Sequence, residues 1–167
     1  YKKLLNGVSE LYLPDGTVYT FESSGSTGYS VQDGGSPVAI AQCTKIQNAA
    51  KNSTITISYE RNNGYPYLKT ITDSAGRTVT LNYNYSKHRL TSVSYDGKTI
   101  NYAYNGTGLL QSVAPPVGNA WTYSYDGMHE LNVLNYPTGG RISYVYGNVS
   151  FATGATRVSF KNRLAAA

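Results

Sequence analysis

The feature that most limits what this chain can fold into is a pair of aromatic residues, separated by one position, that keeps returning. Tyr83/Tyr85, Tyr102/Tyr104, Tyr123/Tyr125 and Tyr144/Tyr146 lie 19, 21 and 21 residues apart. A second marker travels with them: an apolar residue followed by another three positions later, as Leu68/Ile71, Leu90/Val93, Leu110/Val113 and Leu131/Leu134. Two markers sharing one period describe serial copies of a supersecondary unit, which bury their apolar surface by stacking on one another.

Each copy reads as one β-hairpin. The first strand carries the Leu-x-x-Val marker and the second carries the aromatic pair. Between them lie the turns "DSAGR" (73–77), "YDGK" (95–98), "PPVGN" (115–119) and "YPTGGR" (136–141). Gly and Asn supply the positive φ such turns need, and Pro presets φ at others. Short links, "SKHR" (86–89), "NGTG" (105–108) and "DGMHE" (126–130), lead to the next copy. Two weaker copies come first. "CTKIQNAAKNSTITISY" places Cys43 in the leucine slot, and "LYLPDGTVYTF" turns at Asp15-Gly16. The expected units are therefore 11–21, 43–59, 68–85, 90–104, 110–125 and 131–146, with a last strand at 156–160, in one repeat domain over 1–160. Residues 23–36 read as a Ser/Gly-rich loop with a short strand near Tyr29-Val31, and 61–66 as a longer link.

Side chains two apart share a strand face. This puts Val79, Leu81, Tyr83 and Tyr85 on one face, then Ile100, Tyr102 and Tyr104, then Trp121, Tyr123 and Tyr125, then Ile142, Tyr144 and Tyr146. Stacked in register, these stripes are expected to form an aromatic ladder, each cross-strand pair contributing about 0.2–1 kcal/mol. The fold class is all-β: serial antiparallel hairpins in a twisted, curved, ribbon-like sheet.

Composition excludes several classes. Of 167 residues only 14% are charged, 17 are Tyr and 17 are Gly, a poor mixture for helices. The net charge of +5 comes from Lys and Arg scattered singly apart from Lys2-Lys3, without the clustered stripe of a nucleic-acid surface. One cysteine, Cys43, rules out an internal disulfide. No apolar run reaches the length of a membrane-spanning helix, and no signal peptide is recognisable. The chain starts at Tyr1 without a methionine and reads as a segment of a longer protein, with 161–167 as a tail of vector origin.

The stretches "LKTITDSAGRTVTLNYNY", "LTSVSYDGKTINYAYNG" and "YDG…LNVLNYPTGGRISYVYGN" resemble the YD repeats of the bacterial Rhs family, whose pattern joins Tyr-Asp, Gly-Arg and a tyrosine-ended strand. The matching positions here are Tyr95, Asp96, Gly97, Asp126, Gly127, Gly140 and Arg141, with the tyrosine pairs. The Gly-Arg element is clear only at Gly76-Arg77 and Gly140-Arg141. The resemblance implies a ribbon of hairpins coiled into a hollow shell. In Rhs proteins and the C component of insecticidal toxin complexes such a shell encloses a C-terminal toxin; teneurins use a similar one on cell surfaces. The family's self-cleaving core carries Asp-Pro, and no proline here follows Asp. The resemblance thus implies a stretch of shell wall, secreted or on a bacterial surface, with the rest of the shell and a toxin cargo as partners.

The candidates for chemistry are few. His88 and His129 each precede a marker leucine by two residues and read as solvent-facing link residues, because a zinc site needs three or four ligands. Cys43 reads as a small buried hydrophobe. Asp15, Asp96 and Asp126 precede glycines and read as turn-formers. No catalytic residue, metal or cofactor is expected, and no membrane span. Tyrosine and tryptophan also suit sugar stacking, so the competing function is a carbohydrate-binding or adhesive module with Trp121 as its first contact. Unpaired strand edges predict edge-to-edge homodimers or strand exchange.

Overall fold

The structure is a computed structural model that describes side chains at residues 8–22 and 41–146 and, in addition, backbone strands at 2–3, 30–33, 36–39, 147–153 and 156–166. Of the loop expected over 23–36, residues 23–29 and 34–35 lie outside the described residues, and Ser30–Asp33 is a strand, near the short one expected at Tyr29-Val31. Contacts divide the chain into two compact units, Tyr1–Lys98 and Thr99–Ala167, where the sequence reads as one repeat domain.

The first unit holds strands β1 (Lys2–Lys3), β2 (Val8–Tyr12), β3 (Val18–Glu22), β4 (Ser30–Asp33), β5 (Ser36–Ala39), β6 (Gln42–Gln47), β7 (Thr54–Asn62), β8 (Tyr65–Asp73), β9 (Thr78–Asn84) and β10 (Arg89–Tyr95), with a one-turn 3-10 helix at Tyr85–Lys87. Its main sheet runs β1-β2-β3-β6-β7-β8-β9-β10, while β4 and β5 pair only with each other. The second unit holds β11 (Lys98–Tyr104), β12 (Leu110–Ala114), β13 (Trp121–Tyr125), β14 (Leu131–Asn135), β15 (Arg141–Ser143), β16 (Val145–Thr153) and β17 (Thr156–Ala166). Here β11 to β15 pair in chain order, and β16 pairs with β17. All these pairings are antiparallel. β17 runs past the strand expected at 156–160 and includes most of the expected tail.

Two turn chemistries make the hairpins. Asn63-Gly64 (φ +49° and +83°) and Asp96-Gly97 (φ +50° and +68°) are two-residue turns with both φ positive, the hand that matches strand twist. The first corrects the reading of 61–66 as a longer link: the ladder continues through it to Asn62↔Tyr65, and only two residues turn.

Three-residue loops make most of the other reversals. Their opening residue donates its N–H to a carbonyl four positions on and accepts an N–H from three positions on, as at Leu13–Thr17, Asp73–Arg77, Asn105–Leu109, Asp126–Glu130 and Tyr136–Gly140. The third loop residue must then take positive φ: it is Gly16, Gly76, Gly108, His129 and Gly139. "YDG" at 125–127 is therefore a different turn from "YDG" at 95–97. Gly127 is not the residue with positive φ; His129 is, at +67°.

No second layer covers either face of these strands among the described residues. Tyr67, 8% exposed, is the one buried hydrophobic side chain there, and most strand side chains are half-buried. One face is apolar. The other carries cross-strand polar pairs such as Ser58–Thr70 (2.6 Å), Thr72–Thr78 (3.0 Å), Asn82–Ser92 (3.0 Å) and Asn135–Thr122 (2.9 Å). The chain meets its need for polar satisfaction with short hydroxyl and amide side chains rather than with charge.

Candidate functional site

The repeat's own machinery occupies the tyrosines, and it begins with a spacing problem. On a strand of period two, residues three apart point to opposite faces. The Leu-x-x-Val marker would thus send one of its members to the polar side. The register shows how this is avoided. Tyr104 lies opposite Leu110 and Tyr102 opposite Val113, so two steps on β11 face three on β12, with a register shift between. The extra residue, Gln111, makes a β-bulge, and the bulge returns Leu110 and Val113 to one face.

The same count recurs at every joint between successive copies. Tyr125 and Tyr123 face Leu131 and Leu134. Tyr83 and Leu81 face Leu90 and Val93. Tyr59 and Ile57 face Leu68 and Ile71, and Phe21 and Tyr19 face Cys43 and Ile46. The extra residues are Asn132, Thr91, Lys69 and Thr44. Thr91 uses its hydroxyl on the Asn82 carbonyl at 3.1 Å.

Within each copy, the ladder stops short of the bulge. The last pairs are Lys45↔Thr56, Thr70↔Thr80, Ser112↔Thr122 and Val133↔Ser143. Two residues beyond each on the first strand stands the marker, whose carbonyl has no ladder partner in that hairpin. Three residues beyond on the second strand stands a tyrosine, and its hydroxyl takes up that carbonyl. Tyr59 donates to the Cys43 carbonyl at 3.0 Å, Tyr83 to Leu68 at 2.9 Å, Tyr125 to Leu110 at 2.8 Å and Tyr146 to Leu131 at 2.8 Å. A polar group left unpaired in a partly dry site costs about 1–3 kcal/mol. This bond, here called the latch, substitutes a side chain for the missing backbone rung. The first hairpin is a natural control: Phe21 stands at the latch position without a hydroxyl, and there the β2–β3 ladder runs unbroken from Tyr12↔Val18 to Val8↔Glu22.

The latches correct the alignment of the repeat. Tyr83, not Tyr85, is the equivalent of Tyr104, Tyr125 and Tyr146, and these four are evenly spaced by 21 residues. Tyr85 falls outside β9, in the 3-10 link, so it does not continue the stripe of Val79, Leu81 and Tyr83. The register also corrects the expected aromatic ladder. Aromatic strands alternate with marker strands, so tyrosines meet aliphatic residues. Val113 lies between Tyr102 and Trp121, Leu134 between Tyr123 and Ile142, and Ile46 between Tyr19 and Ile55.

Aromatic rings do gather at one place, around Tyr67. Its ring lies 5.0 Å from those of Tyr83 and Tyr85, and it stacks on His88 at 6.0 Å, while Tyr65 meets His88 edge-on at 4.9 Å. The Tyr67 hydroxyl and His88 Nδ1 share a hydrogen bond. His88 is exposed, as expected of a link residue, and through Tyr67 it also fastens the link to the β7–β8 hairpin. Beside it Lys69 reaches Glu60 at 3.1 Å. That ammonium holds the Glu60 carboxyl below its usual range, with help from the Tyr85 hydroxyl.

The remaining sequence-predicted residues make turns or joints. Asp126 Oδ1 accepts the backbone N–H of Met128 at 2.8 Å and of Glu130 at 3.0 Å. Asn105 does the same for Leu109 at 2.8 Å. Asp96 and Gly97 form the turn leading out of β10, with Tyr95 opposite Val79. Gly140 supplies the carbonyl that closes the Tyr136 loop at 2.7 Å. Arg141 pairs with Asn135 in β14–β15, and Tyr144 donates its N–H to the Asn132 carbonyl at 2.9 Å. Arg77, of the other Gly-Arg, donates from Nε to Asp73 at 2.6 Å, and this bond is the leading cause that holds the Asp73 carboxyl below its usual value. Burial raises the hydroxyls of Tyr59, Tyr83 and Tyr125 above the ordinary phenol value. Cys43, expected to be buried, is half-exposed, its thiol 3.6 Å from the Lys45 carbonyl.

Among the described residues, no three His, Cys, Asp or Glu side chains gather around one point. No helix there is long and apolar enough to cross a membrane. An open groove lies between Glu22, Lys45, Ser58 and Arg61. What the side chains build is a periodic joint. That period has a counterpart among known families: residues 104–141 match the family model described as RHS Repeat. Residues 104–141 of the chain thus resemble an Rhs repeat. The matched segment starts on the latch position Tyr104, contains the Asn105 and Asp126 loops and the Tyr125 latch, and ends on Arg141 of the Gly-Arg element. It thus spans more than one full Rhs period as the latches define it. No curated protein matches the chain.

Proposed function

We propose that this chain is a non-catalytic wall segment of a β-shell, in an exported or surface-borne bacterial protein, and that the shell encloses a C-terminal toxin. The observation that carries the reading is the fastening of the hairpins. In four of them a latch closes the hairpin on itself, and bulged registers join successive copies. Side chains that a binding or catalytic protein would present to a ligand are used here to propagate the sheet. A glycan platform fits less well, because four tyrosine hydroxyls are already given to backbone carbonyls, and Trp121 lies half-buried opposite Val113.

The test is protection of the C-terminal region in the intact parent protein. Under limited proteolysis that region is expected to survive in the native protein and to be cut after Tyr83→Phe and Tyr125→Phe are combined. Equal cutting in both proteins would overturn the shell reading. A glycan array showing binding that disappears with Trp121→Ala would favour the carbohydrate reading instead.

A further inference from the structure

One joint in the first unit is built unlike the rest. The hairpin Val8–Glu22 docks on β6 through Val18↔Gln47, Tyr19↔Ile46, Thr20↔Lys45, Phe21↔Cys43 and Glu22↔Gln42. Elsewhere a tyrosine faces a leucine at the bulge. Here Phe21 faces Cys43, a smaller side chain that buries less apolar surface. Elsewhere the strands of a joint follow each other through two to five residues, as at 63–64, 85–88, 105–109 and 126–130. Here the connection is 19 residues, 23–41, and the entropy lost on closing a connection grows with its length. The hairpin itself is self-sufficient, with its own unbroken five-pair ladder and the Asp15-Gly16 turn. It also leaves Leu11 and Tyr12 exposed at 37% and 51%.

We propose that the Val8–Glu22 hairpin is a detachable strap on the β6 edge, and that the same hairpin of a second copy of this chain takes its place. A self-contained hairpin on a weak joint leaves as one piece, before the longer ladders of β7 to β10 open. Its departure uncovers the N–H and C=O groups of Gln42–Gln47, an edge whose complement is already present in every copy. With the β4–β5 pairing opened, a connection of 19 residues spans at most about 65 Å when extended, enough to reach a neighbour's edge. The exchanged joint has the same register and contacts as the closed one, which is what makes such a swap inexpensive.

The register supplies the experiment. Phe21 and Cys43 are direct cross-strand partners, so Phe21→Cys places two thiols within disulfide range. The reduced variant is incubated at a series of concentrations, oxidised, and run without reductant. Covalent dimers that increase with concentration and carry the bond between the introduced thiol and Cys43 support the exchange. Monomers alone at every concentration overturn it. Amide exchange on the unmodified chain tests the detachment separately. Amides of Val18–Glu22 and Gln42–Gln47 are expected to exchange at least about 100-fold faster than those of β8 to β10, with little dependence on denaturant. Equal rates overturn the strap. Failure of either arm leaves the shell reading untouched, because neither measures the enclosed cargo.

Discussion

The hydroxyl of Tyr125 donates to the backbone carbonyl of Leu110 at 2.8 Å, across a hairpin whose ladder has already ended at Ser112↔Thr122. The same relationship joins Tyr83 to Leu68 and Tyr146 to Leu131, each pair 15 residues apart in sequence. One side chain thus closes each of these hairpins beyond the point where backbone pairing ends. Four of the 17 tyrosines are used in this way. The bond needs a hydroxyl on an apolar arm long enough to reach across the opened end, which Phe21 of the first hairpin cannot supply.

Loop residue His129 holds φ at +67° where the equivalent loop has Gly108 at +90°. A residue with a Cβ is disfavoured there, and glycine relieves the cost. His129→Gly is therefore expected to stabilise the second unit by about 0.5–1 kcal/mol, and Gly108→Ala to destabilise it by about 1 kcal/mol or more. Chemical denaturation of the two variants checks both signs.

Alkali should open the latches. Burial raises the Tyr59, Tyr83 and Tyr125 hydroxyls in the folded chain. A group whose folded pKa lies above its unfolded value contributes stability that is complete below the unfolded value, about 10 for tyrosine. That contribution is lost as pH rises through the folded value. The thermal midpoint is expected to hold steady up to about pH 10 and to fall above it, in step with tyrosinate absorbance near 295 nm. Tyr83→Phe should shrink the alkaline fall, since one titrating latch is gone.

Deleting Gln111 removes the extra residue of one bulge while leaving composition nearly unchanged. Leu110 and Val113 would then sit two apart in sequence, on one face without a bulge, with Tyr104 still opposite Leu110 and Tyr102 opposite Val113. The Leu110 carbonyl would move one residue nearer to the Ser112↔Thr122 rung, out of line with the Tyr125 hydroxyl. The deletion is expected to cost about 1–2 kcal/mol through the lost latch, whereas Gln111→Ala, at an exposed position, should change stability by less than about 0.5 kcal/mol. Tryptophan fluorescence from Trp121 reports on this unit.

Much of this arrangement is legible in the residues alone. The 21-residue period, the serial hairpins and the Asp96-Gly97 turn follow from alternation and turn chemistry. The bulge is written there too, in Leu110-Gln111-Ser112-Val113, but a three-residue spacing inside a strand reads as a marker until the register of the neighbouring strand is known. Tyr85 misleads because "YNY" at 83–85 has the form of a pair, while only the link geometry shows that the chain has left the strand. Gly127 misleads for a related reason. "DG" suggests a two-residue turn, yet the length of the connection moves the positive φ to His129. The docking of Tyr67 against Tyr83, Tyr85 and His88 has no sequence signal, since it depends on how far β7 and β8 extend beyond the repeat.

The measurement that tests the latch most directly compares two sets of Tyr→Phe substitutions by equilibrium denaturation. One set removes the latch hydroxyls at Tyr59, Tyr83, Tyr125 and Tyr146; the other removes hydroxyls at Tyr19, Tyr102, Tyr123 and Tyr136. Each latch substitution is expected to cost about 1–2 kcal/mol, because it leaves a backbone carbonyl without its partner, and each substitution of the second set less than about 0.5 kcal/mol. Equal costs in the two sets would contradict the claim that the tyrosine hydroxyls lock the repeat.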